Sequence, residues 1–324
     1  MRAVDRISFR IDSGEVVGYI GPNGAGKSTT VKMLTGILTP SAGHIRVAGL
    51  NPVRQRVALA RRIGVVFGQR TGLWWDLPLT DSFELLRHLH RIPSARYREN
   101  LELFTELLDL GAFLHIPVRQ LSLGQRMRGD LTAALLHDPR IVYLDEPTIG
   151  LDVVSKAAVR SFLAEINRER GTTVLLTTHD LDDIERLCGR VMVIAGGRLV
   201  YDGSVDGLRG RVNAERTLVV DLAAPAPRLD LPAEPPGARV IRVDGPRQWV
   251  AFPATASAAP LITAITARHE VVDISLREPD IDEVVRRLYL GGLRSSAAAA
   301  SSVGDPSGTD DPSETGGRSA TSAK

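Results

Sequence analysis

Cysteine is almost absent from this chain: Cys188 is the only one in 324 residues. That excludes an intramolecular disulfide and fits a reducing compartment. No apolar run approaches the ~18–20 residues needed to cross a bilayer, and no signal-peptide core opens the sequence. If the protein serves a membrane process, another chain does the spanning. An excess of charge of one sign is missing too. Forty basic residues face thirty-eight acidic ones, a net of +2, and only four of the forty are lysine. Such a balance does not make nucleic acid or an anionic membrane the default partner. Aromatics reach only 5%, but 43% hydrophobic and 24% charged residues are ordinary for a globular protein and exclude a fibrous or largely disordered one. At ~150 residues per domain the length suggests about two domains.

What is present has a regular order. Glu15–Ile20 is a short apolar run ending in a glycine-rich turn, and Val31–Leu38 continues as a helix. Ile63–Phe67, Ile141–Leu144, Thr173–Thr177 and Val191–Ile194 are further short buried strands. Strands of this kind separated by helical stretches predict an α/β core with a mostly parallel sheet covered on both faces. Between Gln69 and Asp138 the pattern is helical only. Phe83, Leu86, Leu89 and Ile92 recur at helical spacing after the capping candidates Thr80 and Asp81, and Tyr97, Leu101, Phe104, Leu107 and Leu108 form a second stripe. A helical subdomain over about residues 70–138, inserted in a core of residues 1–210, is expected. Residues 212–290 read as a small C-terminal α+β unit. Its strands are Thr217–Leu222, Arg239–Val243, Gln248–Phe252 and Val271–Arg277, its helices lie near Ser257–Arg268 and Ile281–Leu290, and Ala223–Gly237 forms a loop. Residues 294–324 hold almost nothing to bury and are expected to be disordered.

Chemistry concentrates at strand ends. Gly21, Pro22, Asn23, Gly24, Ala25, Gly26, Lys27 and Ser28 fit the G-x-x-x-x-G-K-[ST] phosphate loop between a strand and a helix. Its glycines let backbone N–H groups wrap phosphate oxygens at the helix N-terminus. Lys27 reaches the outer phosphates, Ser28 ligates Mg²⁺, and Thr29 follows in the helix. Asp145 and Glu146 end the strand Ile141–Leu144. Asp145 suits metal support and Glu146 a general base, although two such acids alone also read as surface residues. His179 and Gln69 follow two other strands, where α/β ligand sites gather. Ser122 stands at the start of a helix as an N-cap, either plain or serving an anion.

In this order the motifs resemble the ATP-binding subunit of ABC transporters over residues 1–210. The match comprises the phosphate loop, a Q-loop glutamine (Gln69), a signature segment (Leu121–Gln125), a Walker B pair (Asp145, Glu146), a D-loop (Gly150–Asp152) and an H-loop (His179). The resemblance implies a P-loop ATPase with catalytic Glu146, His179 and Gln69, ATP held by Gly21–Thr29, and Mg²⁺ at Ser28, Gln69 and Asp145. It implies a head-to-tail homodimer in the ATP state, or a pair with a second ATPase subunit. Ser122, Gly124, Gln125 and Asp152 then meet the partner copy's nucleotide. A separate transmembrane permease, gripped near Trp74 and Trp75, places the protein at the cytoplasmic face of the membrane. The two tryptophans suit internal packing equally well. Asp145-Glu-Pro-Thr-Ile-Gly-Leu-Asp152 and the C-terminal unit look most like exporters of drugs, antibiotics or polysaccharides. An importer ATPase is an alternative, as is a soluble ribosome- or DNA-associated ABC ATPase. Against the latter stand the single motif set, the lack of heptads and the neutral charge.

Two departures stand out. Leu123 replaces the first glycine of the usual Leu-Ser-Gly-Gly-Gln; leucine fits a first helical turn without strain, so closure is expected to survive. Only 26 residues precede Lys27, whereas the family supplies an earlier strand and an aromatic residue stacked on adenine. That position falls at or before Met1. The expectation is a start further upstream or a weak adenine contact, a loss of ~1 kcal/mol or more. Phe9 and Tyr19, expected within strands, are poor substitutes.

Overall fold

The computed structural model describes residues 2–68, 70–178, 180–211 and 215–277. The run VVGYI forms β1 (Val16–Ile20) and leads through the phosphate loop into α1 (Lys27–Leu34). α1 starts and stops earlier than the apolar pattern suggested. Its first turn is polar and therefore silent in a hydrophobic reading, and Gly36, at φ +76°, turns the chain away past its end. After α2 (Arg56–Ala60) and β2 (Ile63–Phe67) comes a helical stretch: α3 (Leu79–His90), α4 (Ser94–Leu107), a 3₁₀ turn at Val118–Gln120, and α5 (Leu123–Leu135). Then follow β3 (Ile141–Asp145), α6 (Val153–Arg170), β4 (Thr173–Thr177), α7 (Leu181–Leu187), β5 (Arg190–Ala195), β6 (Arg198–Ser204) and α8 (Val205–Arg211).

These strands make one six-stranded sheet in the order β2-β3-β4-β1-β5-β6, parallel except for β6, which the sequence had not announced. β3 and β4 are nearly free of exposed residues, as strands covered on both faces must be. Register fixes the site. Phe67, Asp145, Thr177, Tyr19 and Met192 are partners in one row across five strands. The chain therefore leaves β1 for the phosphate loop and β3 for Glu146 along a single edge, where β2 and β4 also end.

The helices of residues 70–138 dock on this core through side chains. Phe104 of α4 meets Phe162 of α6 edge to face at 5.5 Å, both fully buried. Burying such a ring contributes roughly 1.5–3 kcal/mol. α3 is capped by Pro78, not by Thr80 or Asp81, which lie inside its first turn. Leu89 is 69% exposed, so of the expected stripe Phe83, Leu86 and Ile92 pack, joined by Leu79.

A second, antiparallel sheet has the order β10-β7-β9-β8, from β7 (Glu215–Leu222), β8 (Arg239–Asp244), β9 (Arg247–Pro253) and β10 (Val271–Arg277), with α9 (Ala259–Thr266) against it. The β8–β9 turn has Gly245 at φ +58°, as its sequence suggested. Fully buried Gln248 holds the proline-rich loop. Its Oε1 accepts from Leu229 N–H at 3.0 Å, and its Nε2 donates to Pro227 O at 2.8 Å. The helix expected at 281–290 and the tail at 294–324 lie outside the described residues. Among the described residues no helix is long and apolar enough to cross a membrane.

Candidate nucleotide-binding site

The phosphate loop is wrapped around its own lysine. Lys27 is 7% exposed and its Nζ donates to Gly21 O at 2.6 Å and Pro22 O at 3.3 Å. Burial pushes its pKa down, opposed by the charges of Glu146 and Asp145. Gly24 and Gly26 have φ of +79° and +110°. Gly26 caps α1 and offers no capping side chain, leaving the first-turn N–H groups to an external acceptor. A Cβ on Gly26 would stand 2.6 Å from Ala3 O, so a side chain fits neither its conformation nor its surroundings. Thr30 Oγ1 donates to Gly26 O at 3.0 Å and lies 3.2 Å from Tyr19 Oη, anchoring the loop to β1. A buried cation, an uncapped helix start and the hydroxyls of Ser28 and Thr29 form a donor set that fits a polyphosphate.

Facing it are the acids at the end of β3. Thr177 Oγ1 donates to Asp145 Oδ1 at 2.5 Å, and Glu146 N–H donates to Thr177 O at 2.9 Å. Glu146 itself sits at φ +56°, in the left-handed region a glutamate rarely adopts. Two strands thus hold the acid pair in place. An oxygen donor set of Asp145 and Ser28 fits a hard divalent cation. Gln69 and His179 lie outside the described residues, although β2 and β4 lead to them.

The signature segment is a capped helix start. Ser122 Oγ accepts from Gln125 N–H at 3.2 Å while Gln125 Oε1 accepts from Ser122 N–H at 2.9 Å, a reciprocal capping box. Asp152 caps α6 without that reciprocity, accepting from Ser155 N–H at 2.8 Å and Ser155 Oγ at 2.9 Å. These bonds hold its carboxyl pKa below the usual carboxylate range. The two helix starts touch, since a Cβ on Gly124 would stand 2.6 Å from Ser155 Oγ. Leu123 lies over Gly150, which gives the atypical leucine a packing role.

Other members of the site left no trace in the sequence. Thr177 is one residue of an apolar strand. Thr148, just past the acid pair, donates to the buried Asp183 Oδ2 at 2.5 Å, and Arg160 Nη1 donates to Asp183 Oδ1 at 2.9 Å. With the Lys156–Asp180 ion pair this ties α6 to the head of α7. Tyr19 lies in β1 as expected, but Phe9 lies outside any strand, a correction to the expectation; its ring meets the buried Tyr19 at 6.2 Å. Trp74 and Trp75 are 42% and 50% exposed, so they are surface rather than core.

The family model described as "ABC transporter" matches residues 4–149. A daunorubicin resistance ATP-binding protein, DrrA3, of Streptomyces coeruleorubidus is 35% identical over 92% of this chain and 94% of its own. Among solved structures, an ATP-binding subunit of an ABC transporter superposes with TM-score 0.60 at 27% identity, covering 64% of this chain and 86% of that one. A dimeric ATP-binding cassette in a post-hydrolysis state with ADP and Pi gives 0.56 at 25%, covering 63% and 90%. The phosphate loop and the acid pair stand on one sheet edge and the signature helix carries its capping box, in a chain of which 92% is matched by such a relative. The chain belongs to the ATP-binding proteins of ABC transporters and is an ABC ATPase.

Proposed function

We propose that this chain is the ATP-hydrolysing subunit that powers a separate membrane permease, an exporter of drug-like or other amphipathic cargo. The observation that carries the ATPase part is the buried Lys27 ammonium within electrostatic reach of Asp145 and Glu146. ATP is held by the loop Gly21–Thr29, with N–H groups of Gly24, Gly26 and Lys27 around the phosphates. On binding, the Lys27 ammonium leaves the carbonyls of Gly21 and Pro22 for the outer phosphate oxygens. Ser28, Asp145 and Gln69 hold Mg²⁺, which when bound spreads the charge of the transferring phosphoryl group. A carboxylate oxygen of Glu146 takes the proton of the attacking water, and His179 steadies the γ-phosphate.

In this reading each protomer has half a site. Ser122, Gly124, Gln125 and Asp152 close on the nucleotide of a second copy, or of a second ATPase subunit. The dimeric relative supports that arrangement. The resistance protein's name supports export, and the near-neutral charge speaks against a nucleic-acid partner. The exposed Trp74–Trp75 ledge is the surface for the permease, which places the subunit peripherally at the cytoplasmic face.

Glu146→Gln tests the reading. The variant binds Mg·ATP and dimerises on light scattering, while turnover falls ~10²-fold or more, the usual range for loss of a general base. Undiminished turnover removes Glu146 from the role, and a monomer in saturating Mg·ATP removes the shared site.

A further inference from the structure

Helix α5 carries a carboxylate that hydrolysis does not use. Asp130 is buried, and its Oδ1 accepts from Thr71 Oγ1 at 2.8 Å and from Gly72 N–H at 3.0 Å. Leu73 N–H in turn donates to Thr71 Oγ1 at 3.1 Å. Beside it, Gly129 makes room for the same segment: a Cβ there would stand 2.8 Å from Leu79 Cδ2 and 3.2 Å from Leu73 Cδ1. Arg126 lies over the ring of Trp75 at 5.7 Å. Residues 126, 129 and 130 share one helix face. The chain from Thr71 to Leu79 is therefore seated along α5, and two backbone bonds fix its far end to the 3₁₀ turn before Ser122. These run from Val118 N–H to Leu77 O and from Arg119 N–H to Trp75 O, both at 3.0 Å.

We propose that Asp130 is a positioning residue that fastens the segment following Gln69, with its tryptophan ledge, to the helix that begins at Ser122, so that a displacement of one is delivered to the other. This rests on the reading in which Ser122 closes on a partner's nucleotide. The segment begins beside the strand end that leads to Gln69, displays Trp74 and Trp75, and returns to the turn before the signature. Asp130 is the anchor that ties it to α5 midway.

The chemistry of the anchor supports a role beyond holding the fold together. Burial pushes the Asp130 carboxyl up to about 6, against the hydrogen bonds of Thr71 and Gly72 and the charge of Arg126. Its folded pKa lies above the unfolded value, so folding favours the protonated form. The associated stability is present at low pH and is lost as the pH rises toward about 6. At neutral pH the charged anchor weakens the fold while making charge-assisted hydrogen bonds to the segment. An asparagine of the same shape removes that burden together with the charge.

The test uses the full chain carrying Glu146→Gln, alone and combined with Asp130→Asn, Asp130→Ala or Thr71→Val. Amide hydrogen exchange at Gly72 and Leu73 is expected to quicken about tenfold or more in Asp130→Ala, as for a lost bond to a charged acceptor. Nucleotide affinity by calorimetry stays at the parent value, while Mg·ATP-driven dimerisation weakens roughly tenfold in Asp130→Ala and Thr71→Val. Asp130→Asn is expected to melt at or above the parent temperature at pH 7.5 and still to dimerise more weakly. A stabiliser of the fold alone would not separate these two readings. Unchanged exchange at Gly72 and Leu73 overturns the anchor, and faster exchange with unchanged dimerisation overturns the transmission. If the Glu146→Gln parent stays monomeric, the shared-site reading falls and takes the transmission to Ser122 with it, while exchange still decides the anchor.

Discussion

Lysine 27 illustrates how single residues here are held in states that folding alone would not choose. Its ammonium is buried against two carbonyls of its own loop, with its pKa depressed by burial, an arrangement that costs stability unless an anion arrives. Lys27→Ala is therefore expected to lose Mg·ATP binding by about 10²-fold or more in calorimetry while keeping a cooperative melt; retained affinity would remove it from the site. A second residue gives a pH dependence. His137 Nε2 donates to Ile63 O at 3.0 Å, its ring stacks on His90 at 4.0 Å, and its buried Nδ1 has no partner among the described residues. Burial, and then the neighbouring His90, push its pKa down to about 4, with Asp138 acting the other way. The unfolded chain then binds a proton that the native state refuses, so stability declines as pH falls from about 6.5 toward about 4. The decline is on the order of 2–3 kcal/mol. His137→Gln should flatten that limb in urea titrations at pH 7 and pH 5; an unchanged slope would refute it. The phosphate loop was legible because its backbone demands glycine at fixed offsets. Asp130 and Thr177 were not, because one polar residue in an apolar helix or strand carries no period, and Thr148 and His137 were not, because a polar residue in a turn is unremarkable.

Elements were legible where packing dictates sequence and less so where polar contacts do. β2 and β4 have their expected bounds because strands covered on both faces admit few polar residues. α1 was placed late because its first turn is chosen for phosphate chemistry, and α3 was given the wrong cap because Thr80 and Asp81 resemble caps but follow Pro78 into the helix. The capping box of Ser122 and Gln125 follows from their spacing. What that spacing does not reveal is that the starts of α5 and α6 touch at Gly124 and Ser155. A methyl at Gly124 would push Ser155 off Asp152, with an overpacking cost of about 1–3 kcal/mol. Gly124→Ala should lower the melting temperature, and Gly124→Ala with Ser155→Ala should recover part of the loss, since the Ser155 Cβ is 3.3 Å from the added methyl and only the hydroxyl is closer. Additive losses in that double-mutant cycle would mean that the two helix starts do not press on each other.

At the scale of the molecule, helices and sheet are joined by a polar clamp as well as by packing. Asp138, at φ +54° between α5 and β3, accepts from Arg170 Nη1 of α6 at 2.5 Å and from Arg96 Nε of α4 at 2.6 Å, and Arg170 Nη2 donates to Asn100 Oδ1 at 3.0 Å. The helices of residues 70–138 are thereby tied to α6 at the passage into β3, while the Asp130 anchor fastens the entry segment Thr71–Gly72 to α5. Such a body can present Ser122 to a second copy as a rigid edge. The proposed head-to-tail pairing makes a sharp demand on mixtures, because in it each site takes its phosphate loop from one protomer and its signature from the other. In a Glu146→Gln background, protomers carrying Lys27→Ala have intact signatures, and protomers carrying Ser122→Arg have intact loops. Neither variant alone can build a complete site. A mixed pair has one site with both halves damaged and one with both intact, so a Mg·ATP-dependent dimer is expected only in the mixture, with nucleotide retained at one site per pair. If the mixture scatters light as two monomeric variants do, loop and signature do not meet across protomers. If either variant dimerises alone, the half it lacks is not part of the closure.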